Sequence, residues 1–487
     1  MQQSNFKKEV VMDFFQMTAL FIASVIAVYK LNHTLRDIFF LIPLILAFRS
    51  KKDYFWFAYF FILINAPASF FVNRTQDAFF RLPFYSVVSG FSFTPMDLFL
   101  FISIFKAFQT NVKIKFLLNK PLEFFLFYLL LVSIPVSFFL GTELKPFVNT
   151  LRPFFFFGIV FSYLRLVNNK EEILKFGYLL FPYAVLIVFD QLFLINVGSR
   201  FISVFDPSMV GVFVRNSISG DVRAVVQGIL IVFYVLIFGF QIANNKKYEL
   251  FAGFSSMAIF IPIGSFFLSA TRSWMMIGAI AILGYIFLSS KGYKLAVQMT
   301  IIGFALVIAL FSSGFINEEF VGNITKRYEE LGKIASSGNL KQGTFADRIE
   351  NDIPKVLKGV EYSPVLGVGM SKYMKTYYSN DVGFMNTLLI YGIIGFPIFL
   401  FFLFRYMFLL NKFRKSKFFD DVEKSIFISL LLGFAGILTG YFFTWDFFSF
   451  YPEKVFFVSI VFATGDLVLE LHNRNEELSI EKTQLSQ

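Results

Sequence analysis

Four arginines in this sequence have the chemistry to hold an anionic group. Arg215, Arg223 and Arg272 stand beside apolar runs, and Arg348 lies in a polar segment. A guanidinium is always charged, is weakly hydrated and matches phosphate oxygens two at a time, so it suits an anion in a partly dry site. The alternative for each arginine is an interfacial side chain or a pair with a nearby acid, such as Asp221 beside Arg223.

Two acids could act together with these arginines. Glu350 follows Arg348 by two residues, and Asp381 directly precedes a long apolar run. A carboxylate next to a hydroxyl can take its proton as a general base. An acid before a helix is also a common cap, so both roles are open for Asp381. Arg348 and Asp352 are four residues apart, which also allows a plain salt bridge on one helix face.

A turn separates these two acids. The segment from Pro364 to Gly369 predicts a turn in which Gly367 and Gly369 let backbone amides point at a ligand. No Lys-Ser/Thr pair follows these glycines, so the segment is not a phosphate-binding loop of the Walker type.

Composition determines the class of protein that carries these residues. The chain has 487 residues, of which 56% are hydrophobic, and 75 are Phe. Soluble domains contain roughly 45–50% apolar residues, so the sequence predicts a polytopic membrane protein. There is no cysteine, and His33 and His472 are the only histidines. This excludes disulfides, zinc-thiolate sites, a catalytic thiol and a His-rich metal site. We predict no metal and no cofactor.

The predicted fold is all-α. A membrane crossing needs about 20 mostly apolar residues, and counting such runs predicts twelve to fourteen transmembrane helices. The predicted spans lie near residues 10–29, 35–49, 53–72, 92–109, 121–140, 147–166, 174–196, 224–243, 250–270, 272–290, 294–313, 383–404, 425–444 and 453–470.

The domain organisation follows from these spans. We expect an N-terminal bundle of about eleven helices over 1–313, a large loop over 314–380, C-terminal helices over 381–470 and a tail over 471–487. Within the loop we expect a short helix near 317–334 and an amphipathic helix from Phe345 to Val360, in which Pro354 is a break or a second beginning.

Lys and Arg in the short loops predict the orientation. They are more numerous on the side that holds both termini, which the positive-inside rule assigns to the cytoplasm. The long loop is then on the far side. The short outer loops and adjoining helix ends carry three lysines but eight arginines: Arg36, Arg74, Arg81, Arg152, Arg200, Arg215, Arg223 and Arg272. Because orientation does not require arginine in particular, this bias favours an anion site on the outer face.

These motifs together resemble the lipid-linked polysaccharide polymerases and O-antigen ligases of bacterial inner membranes. The resemblance rests on Ser269-Ala270-Thr271-Arg272-Ser273, on Arg348 as the arginine at the end of the large loop, on the SPVLGVG turn at 363–369, on DVGF at 381–384 and on GIIG at 392–395. It covers roughly residues 200–410, and the N-terminal half matches in hydropathy alone.

The resemblance implies a metal-independent glycosyltransferase in the inner membrane, with a periplasmic loop. Its substrate would be an oligosaccharide on undecaprenyl pyrophosphate, bound by Arg272, Arg223 and Arg348, with Arg215 in second place. Asp381 would be the general base, with Glu350 the second choice. Membrane lipid, a chain-length regulator and a flippase are the partners it allows, with no nucleic acid.

The ligases carry a His near the start of the helix after the loop, where this sequence has Ser379-Asn380-Asp381. The resemblance therefore favours a polymerase of O-antigen, capsule or exopolysaccharide.

Two alternatives remain at this point. One is an O-antigen ligase that transfers glycan to lipid A core. The other is a polysaccharide flippase or transporter, which would be expected to show repeated halves and helices broken near the middle of the membrane. The sequence shows no internal repeat.

Overall fold

The computed structural model describes an all-α protein. The described residues are 2–65, 82–88, 91–110, 120–197, 228–269, 271–289, 348–379, 381–443, 446–448 and 451–485, with isolated residues at 201 and between 292 and 329. Their helices are α1 Gln2–Lys30, α2 His33–Arg49, α3 Asp53–Asn65, α4 Pro95–Gln109, α5 Lys120–Phe139, α6 Leu144–Phe155, α7 Gly158–Leu166, α8 Lys170–Val197, α9 Ile229–Ala243, α10 Phe254–Leu268, α11 Arg272–Leu288, α12 Ile353–Val360, α13 Lys372–Tyr377, α14 Gly383–Lys415, α15 Asp421–Phe443 and α16 Pro452–Leu485.

The prediction of an all-α, multi-pass membrane protein is confirmed. Seven apolar stretches are long enough to cross a bilayer: α1, α5, α6 with α7, α8, α14, α15 and the first part of α16. Three shorter apolar helices, α9, α10 and α11, add to them. The predicted span near 294–313 and the predicted helix near 317–334 lie outside the described residues, apart from isolated positions. The described strands form one small antiparallel hairpin, β1 Tyr85–Val88 with β2 Phe91–Phe93.

The centre of the bundle is packed with aromatic rings. Every residue of α3 is buried, and so is α9 from Ile229 to Ile242. A helix that is apolar on all sides belongs in the interior of a large bundle. Ring contacts join the central helices: Phe61 lies 5.5 Å from Phe456, and Phe233 lies 5.2 Å from Phe457, between ring centroids.

Charged pairs gather at one end of the bundle. The Nζ atom of Lys175, near the start of α8, lies 2.5 Å from Oε2 of Glu9 in α1. Also near the start of α8, Lys170 contacts Glu423, which pairs in turn with Nδ1 of His472 at 3.1 Å. The start of α1 and the end of the apolar part of α16 therefore lie at the same end. Helices α14 and α15 lead from there to the opposite end, where α12 and α13 lie.

Helix α14 is broken at Gly392, where φ is 64° and ψ is −171°. A break leaves carbonyls before it and amides after it without partners in the helix. A turn from the preceding loop supplies donors for the carbonyls. The amide of Val368 donates to the carbonyl of Leu389 at 2.8 Å, and the amide of Gly369 donates to the carbonyl of Ile390 at 3.0 Å.

The same turn accepts hydrogen bonds from the other side of the break. The amides of Ile393 and Ile394 donate to the carbonyls of Pro364 and Val365 at 2.9 and 3.1 Å. We call Pro364–Gly369 the docking turn. It replaces, from outside the helix, hydrogen bonds that α14 lacks at its break.

Helix α5 supports this junction from the far side. The Tyr128 hydroxyl donates to the carbonyl of Tyr391 at 2.8 Å. The amide of Met370 donates to the Ser137 hydroxyl at 2.7 Å. Residues Leu129–Ser133 of α5 form a π-helical turn, a local widening that often marks a functional or closely packed place in a helix.

Glycines permit the close approach of these backbones. A Cβ atom on Gly367 would lie 2.2 Å from the carbonyl oxygen of Ile390, and one on Gly392 would lie 2.2 Å from the amide nitrogen of Gly367. A Cβ atom on Gly369 would lie 2.3 Å from the carbonyl oxygen of Ser133. All three glycines have positive φ, which side chains other than Gly adopt at a cost.

We predict that Gly392→Ala lowers the stability of the purified protein. The backbone region of Gly392 is restricted to Gly, and such strain costs about 1–3 kcal/mol before any clash. Thermal unfolding in detergent measures the change. The matched control is Gly264→Ala in α10, where a Cβ meets nothing within 4 Å. Equal melting temperatures for both variants would contradict the interlocked junction.

Candidate functional site

The predicted outer loop folds into short elements next to the start of α14. Residues Arg348–Asp352 form a π-helical turn that runs into α12. Pro354 lies in the first turn of α12. Amides in a first turn have no acceptor within the helix, so the lack of an N–H on proline costs no hydrogen bond there. Pro354 is thus a second beginning, one of the two options that the sequence left open. Gly359 brings α12 against α14, because its Cβ would lie 2.7 Å from the side chain of Leu389.

Hydrogen bonds around Ser379 hold three segments together. The Ser379 hydroxyl donates to Oδ1 of Asp352 at 2.8 Å, and its amide donates to Oδ1 of Asn386 at 3.1 Å. Nδ2 of Asn386 donates back to the carbonyl of Ser379 at 2.5 Å. Asn386 is fully buried in α14. The π-helical turn, the loop before α14 and α14 itself are therefore fixed relative to one another.

Asp446 brings in the segment between α15 and α16. Its carboxylate is buried and accepts a hydrogen bond from the Tyr378 hydroxyl at 3.2 Å and one from the amide of Phe448 at 2.9 Å. A buried carboxylate requires such donors or an opposite charge. The bond from Tyr378 joins the loop before α14 to the loop before α16, which are far apart in the sequence, and the bond from Phe448 fixes Asp446 within its own loop.

Lys454 adds a buried positive charge to the same place. It lies in the first turn of α16, is 8% exposed, and interacts electrostatically with Asp446 and Asp381. Its Nζ atom also lies 4.2 Å from the ring centroid of Tyr451. Asp381, by contrast, is exposed. We call the following residues the polar cluster: Asp352, Tyr378, Ser379, Asp381, Asn386, Asp446 and Lys454.

The backbone of Arg272 lies beside the polar cluster. Helix α11 begins at Arg272, and two residues later the ring of Trp274 lies 6.4 Å from the ring of Phe447, between centroids. Phe447 directly follows Asp446 in the chain. The side chain of Arg272 lies outside the described part of the structure.

The other sequence-predicted site residues are placed as follows. Arg348 is half-buried on the π-helical turn, four residues before Asp352. Glu350 lies on the same turn and is exposed. Arg215 and Arg223 lie outside the described residues. The structure therefore brings Arg348, Asp381 and the start of α11 to one end of the bundle.

Asp381 does not occupy the N-cap position of α14, which belongs to Val382. The amide of Asp381 donates to the Ser379 hydroxyl at 3.4 Å, so its backbone is tied to the polar cluster. Of the two roles that the sequence left open for Asp381, N-cap or general base, the geometry disfavours the cap.

Two arginines from the predicted outer loops have structural partners. Nη2 of Arg36 lies 3.0 Å from Oδ1 of Asp37. Arg152 donates from Nε to Oδ1 of Asp97 at 2.8 Å and from Nη2 to Oδ2 of the same carboxylate. These two therefore match the pairing alternative, and they weaken the arginine bias as evidence for an anion site.

One expectation about the docking turn is wrong. The amides of Gly367 and Gly369 were expected to point at a ligand. Instead, Gly367 donates to the carbonyl of Ser363 at 2.8 Å, and Gly369 donates to that of Ile390. The Gly367 amide thus closes the turn on itself, and the Gly369 amide pairs with a carbonyl that the break in α14 leaves without a partner in the helix.

Sequence reasoning missed Tyr378, Asn386, Asp446 and Lys454 as partners in one cluster. Asp446 was detectable in principle, since it is an acid within the aromatic segment between two apolar runs, YFFTWDFFSFY. Lys454 has no distinguishing feature in the sequence beyond its position before an apolar run. No local sequence pattern indicates that these four residues contact one another around Ser379.

No protein-family model matches the chain, and no curated protein sequence matches it. Among the described residues, no group of three or more Asp, Glu or His side chains is arranged to hold a metal ion.

We predict that Tyr378→Phe destabilises the protein. The variant removes one hydrogen bond to the buried carboxylate of Asp446, and a hydrogen bond to a charged group contributes about 1.5–3 kcal/mol. Thermal unfolding in detergent measures this loss. The control is Tyr373→Phe in α13, whose ring packs on Tyr362 at the surface of the loop. A Tyr378→Phe protein as stable as this control would argue against the bond to Asp446.

Proposed function

We propose that this protein is a polymerase of surface polysaccharide, a glycosyltransferase that joins undecaprenyl-pyrophosphate-linked repeat units. The observation that carries the proposal is the polar cluster, in which three carboxylates, two hydroxyls and a buried lysine meet at one end of a membrane bundle. The half-buried Arg348 and the start of α11 at Arg272 lie beside the cluster. Carboxylates and the two arginine positions thus lie at the same end, which supports proton transfer to a carboxylate and an anionic leaving group held by arginine.

The proposed reaction needs one proton acceptor and one site for negative charge. A hydroxyl of the acceptor repeat attacks the anomeric carbon of the donor glycan. A new glycosidic bond forms, the bond from that carbon to the pyrophosphate oxygen breaks, and undecaprenyl pyrophosphate leaves with the bonding electrons. The hydroxyl proton passes to a carboxylate, and fixed positive groups stabilise the charge that develops on the leaving oxygen. Attack opposite the leaving group would invert the anomeric centre.

Residue roles follow from exposure. Asp381 is exposed at the edge of the polar cluster and can reach a substrate hydroxyl, so it is the proposed general base. Asp446 and Lys454 are buried, and we assign them to positioning. Glu350 keeps second place as the base. Arg272 and Arg348 are the proposed pyrophosphate ligands, with Arg223 and Arg215 completing the set.

We place the protein in the bacterial inner membrane, with both termini in the cytoplasm and the polar cluster on the periplasmic side. Lys and Arg in the short loops support this orientation. The partners that follow are the lipid-linked oligosaccharide and the bilayer itself, with a flippase and a chain-length regulator acting before and beside this step.

The broken helix α14 is the observation that favours the alternative of a transporter, because transporters place broken helices at their binding sites. Two features weigh against that alternative. The part of α14 from Ile393 to Lys415 is about 34 Å long at 1.5 Å per residue and can cross the bilayer without the segment before the break, which puts the break near the outer boundary. The described centre of the bundle is also filled by rings such as Phe61 and Phe233.

The ligase alternative differs in its acceptor, which would be lipid A core. Neither histidine of the chain supports it. His472 pairs with Glu423 at the end of the bundle opposite the polar cluster, and His33, at the start of α2, is not part of the loop or helix in which the ligases carry their His.

We predict that Asp381→Asn abolishes polymer formation in cells. A general base contributes typically about 10²- to 10⁴-fold in rate, so a polysaccharide gel of cells lacking the gene should regain its length ladder with the wild-type protein but not with Asp381→Asn. Glu361→Gln, at an exposed carboxylate of the same loop, is the matched control and should restore the ladder. Comparable membrane levels of all three proteins are checked by immunoblot.

Three results would revise the proposal. A full ladder with Asp381→Asn would remove Asp381 as the base. Polymer that accumulates on the undecaprenyl carrier in cells without the gene would indicate a ligase. A ladder unchanged by the deletion would contradict the polymerase for that glycan.

We also predict that Arg272→Lys leaves membrane insertion unchanged but removes most polymer formation. Lysine keeps the charge at the start of α11 and loses the forked pair of donors that matches two phosphate oxygens. The measurement is the same gel, normalised to the amount of protein in the membrane. Wild-type activity in this variant would contradict bidentate binding of the pyrophosphate.

A further inference from the structure

Helix α14 has one apolar face that no part of the described protein covers. After the break, exposed residues recur every three to four positions, and apolar side chains at this spacing form a single stripe along a helix. The stripe consists of Ile393, Ile394, Pro397, Phe401, Phe404 and Phe408, and one charged residue, Arg405, lies among them with its guanidinium carbon 5.9 Å from the Phe401 ring centroid. In a membrane-spanning helix this stripe is the surface that meets lipid.

The docking turn is attached to the upper end of this stripe. Val365 is 52% exposed and Leu366 is 37% exposed, beside Ile393 and Ile394 at 60% and 47%. The carbonyl of Val365 accepts the amide of Ile394 at 3.1 Å. This bond puts the backbone of Val365 at the same depth as Ile394, so the depth of the turn in the membrane follows from the depth of α14.

The position of α14 in the bilayer follows from its charged end. The basic residues of its last turn begin at Lys412. We take this cluster, and not the single exposed Arg405 two turns before it, as one boundary of the hydrocarbon region, because a lone basic side chain within a span can extend to the interface. Ile393 lies about 28 Å from Lys412 at 1.5 Å per residue, and the hydrocarbon region is about 30 Å thick. Ile393, Ile394 and the docking turn therefore lie at the opposite boundary.

Polar and aromatic residues stand around the turn as they do at membrane interfaces. Lys358, Lys372 and Lys375 are exposed on α12 and α13, and basic side chains near a bilayer are attracted to anionic headgroups. The rings of Tyr362 and Tyr373 stack at 4.0 Å between centroids. Tyrosine is enriched at the level of the headgroups.

We propose that the docking turn is a membrane contact: the side chains of Val365 and Leu366 insert among lipid acyl chains at the outer boundary of the bilayer. The occupant of this surface is bulk lipid. The consequence is that the loop bearing α12 and α13 lies against the membrane surface, and the polar cluster opens at headgroup height. This inference concerns the placement of the loop and holds whether or not the chain is a polymerase.

The chain contains no cysteine, so a single introduced cysteine carries a spin label at one known position. Full-length Val365→Cys is labelled with a nitroxide and reconstituted into vesicles of phosphatidylethanolamine and phosphatidylglycerol. Electron paramagnetic resonance then compares collisions with oxygen, which concentrates in lipid, and with a nickel chelate, which stays in water. Ile394→Cys is the lipid reference and Thr376→Cys, exposed on α13, is the water reference.

We expect the ratio of oxygen to nickel collisions at position 365 to match that at 394 and to exceed that at 376 severalfold. A ratio at 365 equal to that at 376 would overturn the proposal, since the turn would then stand in water. Low collision rates with both reagents would also overturn it, because a second copy of the chain would then cover the turn. Leu366→Cys repeats the test if Val365→Cys fails to fold.

Discussion

The architecture at one end of this protein depends on a helix that is broken inside a membrane bundle. Backbone amides and carbonyls in a nonpolar environment must be paired within the protein, because each unpaired group costs several kcal/mol. Helix α14 leaves such groups at Gly392, and the docking turn pairs with them on both sides of the break. The contact between the two backbones is close enough that Gly367 and Gly392 leave no space for a Cβ atom, and Gly369 lies equally close to Ser133 of α5.

This junction orders the elements that form the candidate site. The docking turn joins α12 to α13, and both lead into the loop that carries Tyr378 and Ser379. Asn386, within the segment of α14 before the break, closes the hydrogen bonds around Ser379. Asp446 and Lys454 enter from the other side, where α15 ends and α16 begins. A polar cluster at the edge of a membrane bundle is thus assembled from segments that only the fold brings together.

The class of the protein was predictable from composition, because an apolar content this high cannot be buried in a soluble domain. The glycine motifs at 363–369 and 392–395 were also recognisable. The pairing of these two motifs with each other was not predictable, because a turn whose amides face a ligand and a turn whose amides face another backbone have the same local sequence. The docking of one motif on the other is a tertiary contact that leaves no periodic signal.

The acids and bases were predictable in part. Asp381 was found because it stands where a polar loop meets an apolar run, and Arg348 because of its neighbouring acids. Asp446 was missed because it lies in a short loop between two predicted spans, at 425–444 and 453–470, and nothing in the local sequence indicates its distant partner Tyr378. The outer arginines show the limit of counting charges, since Arg152 pairs with Asp97, which also takes part in the capping box of α4. Counting Lys and Arg in the predicted loops gives the number of charges on each side of the membrane. The role of each arginine depends on the residue that it contacts in the folded protein.

The proposal that this protein joins lipid-linked glycans is tested by the product of the purified full-length protein, reconstituted in vesicles with undecaprenyl-pyrophosphate-linked repeats prepared from the same cells. We expect lipid-linked products that grow by whole repeats, with one undecaprenyl pyrophosphate released for each repeat added. Repeats that cross the vesicle membrane without growing in length would contradict it and would identify a transporter.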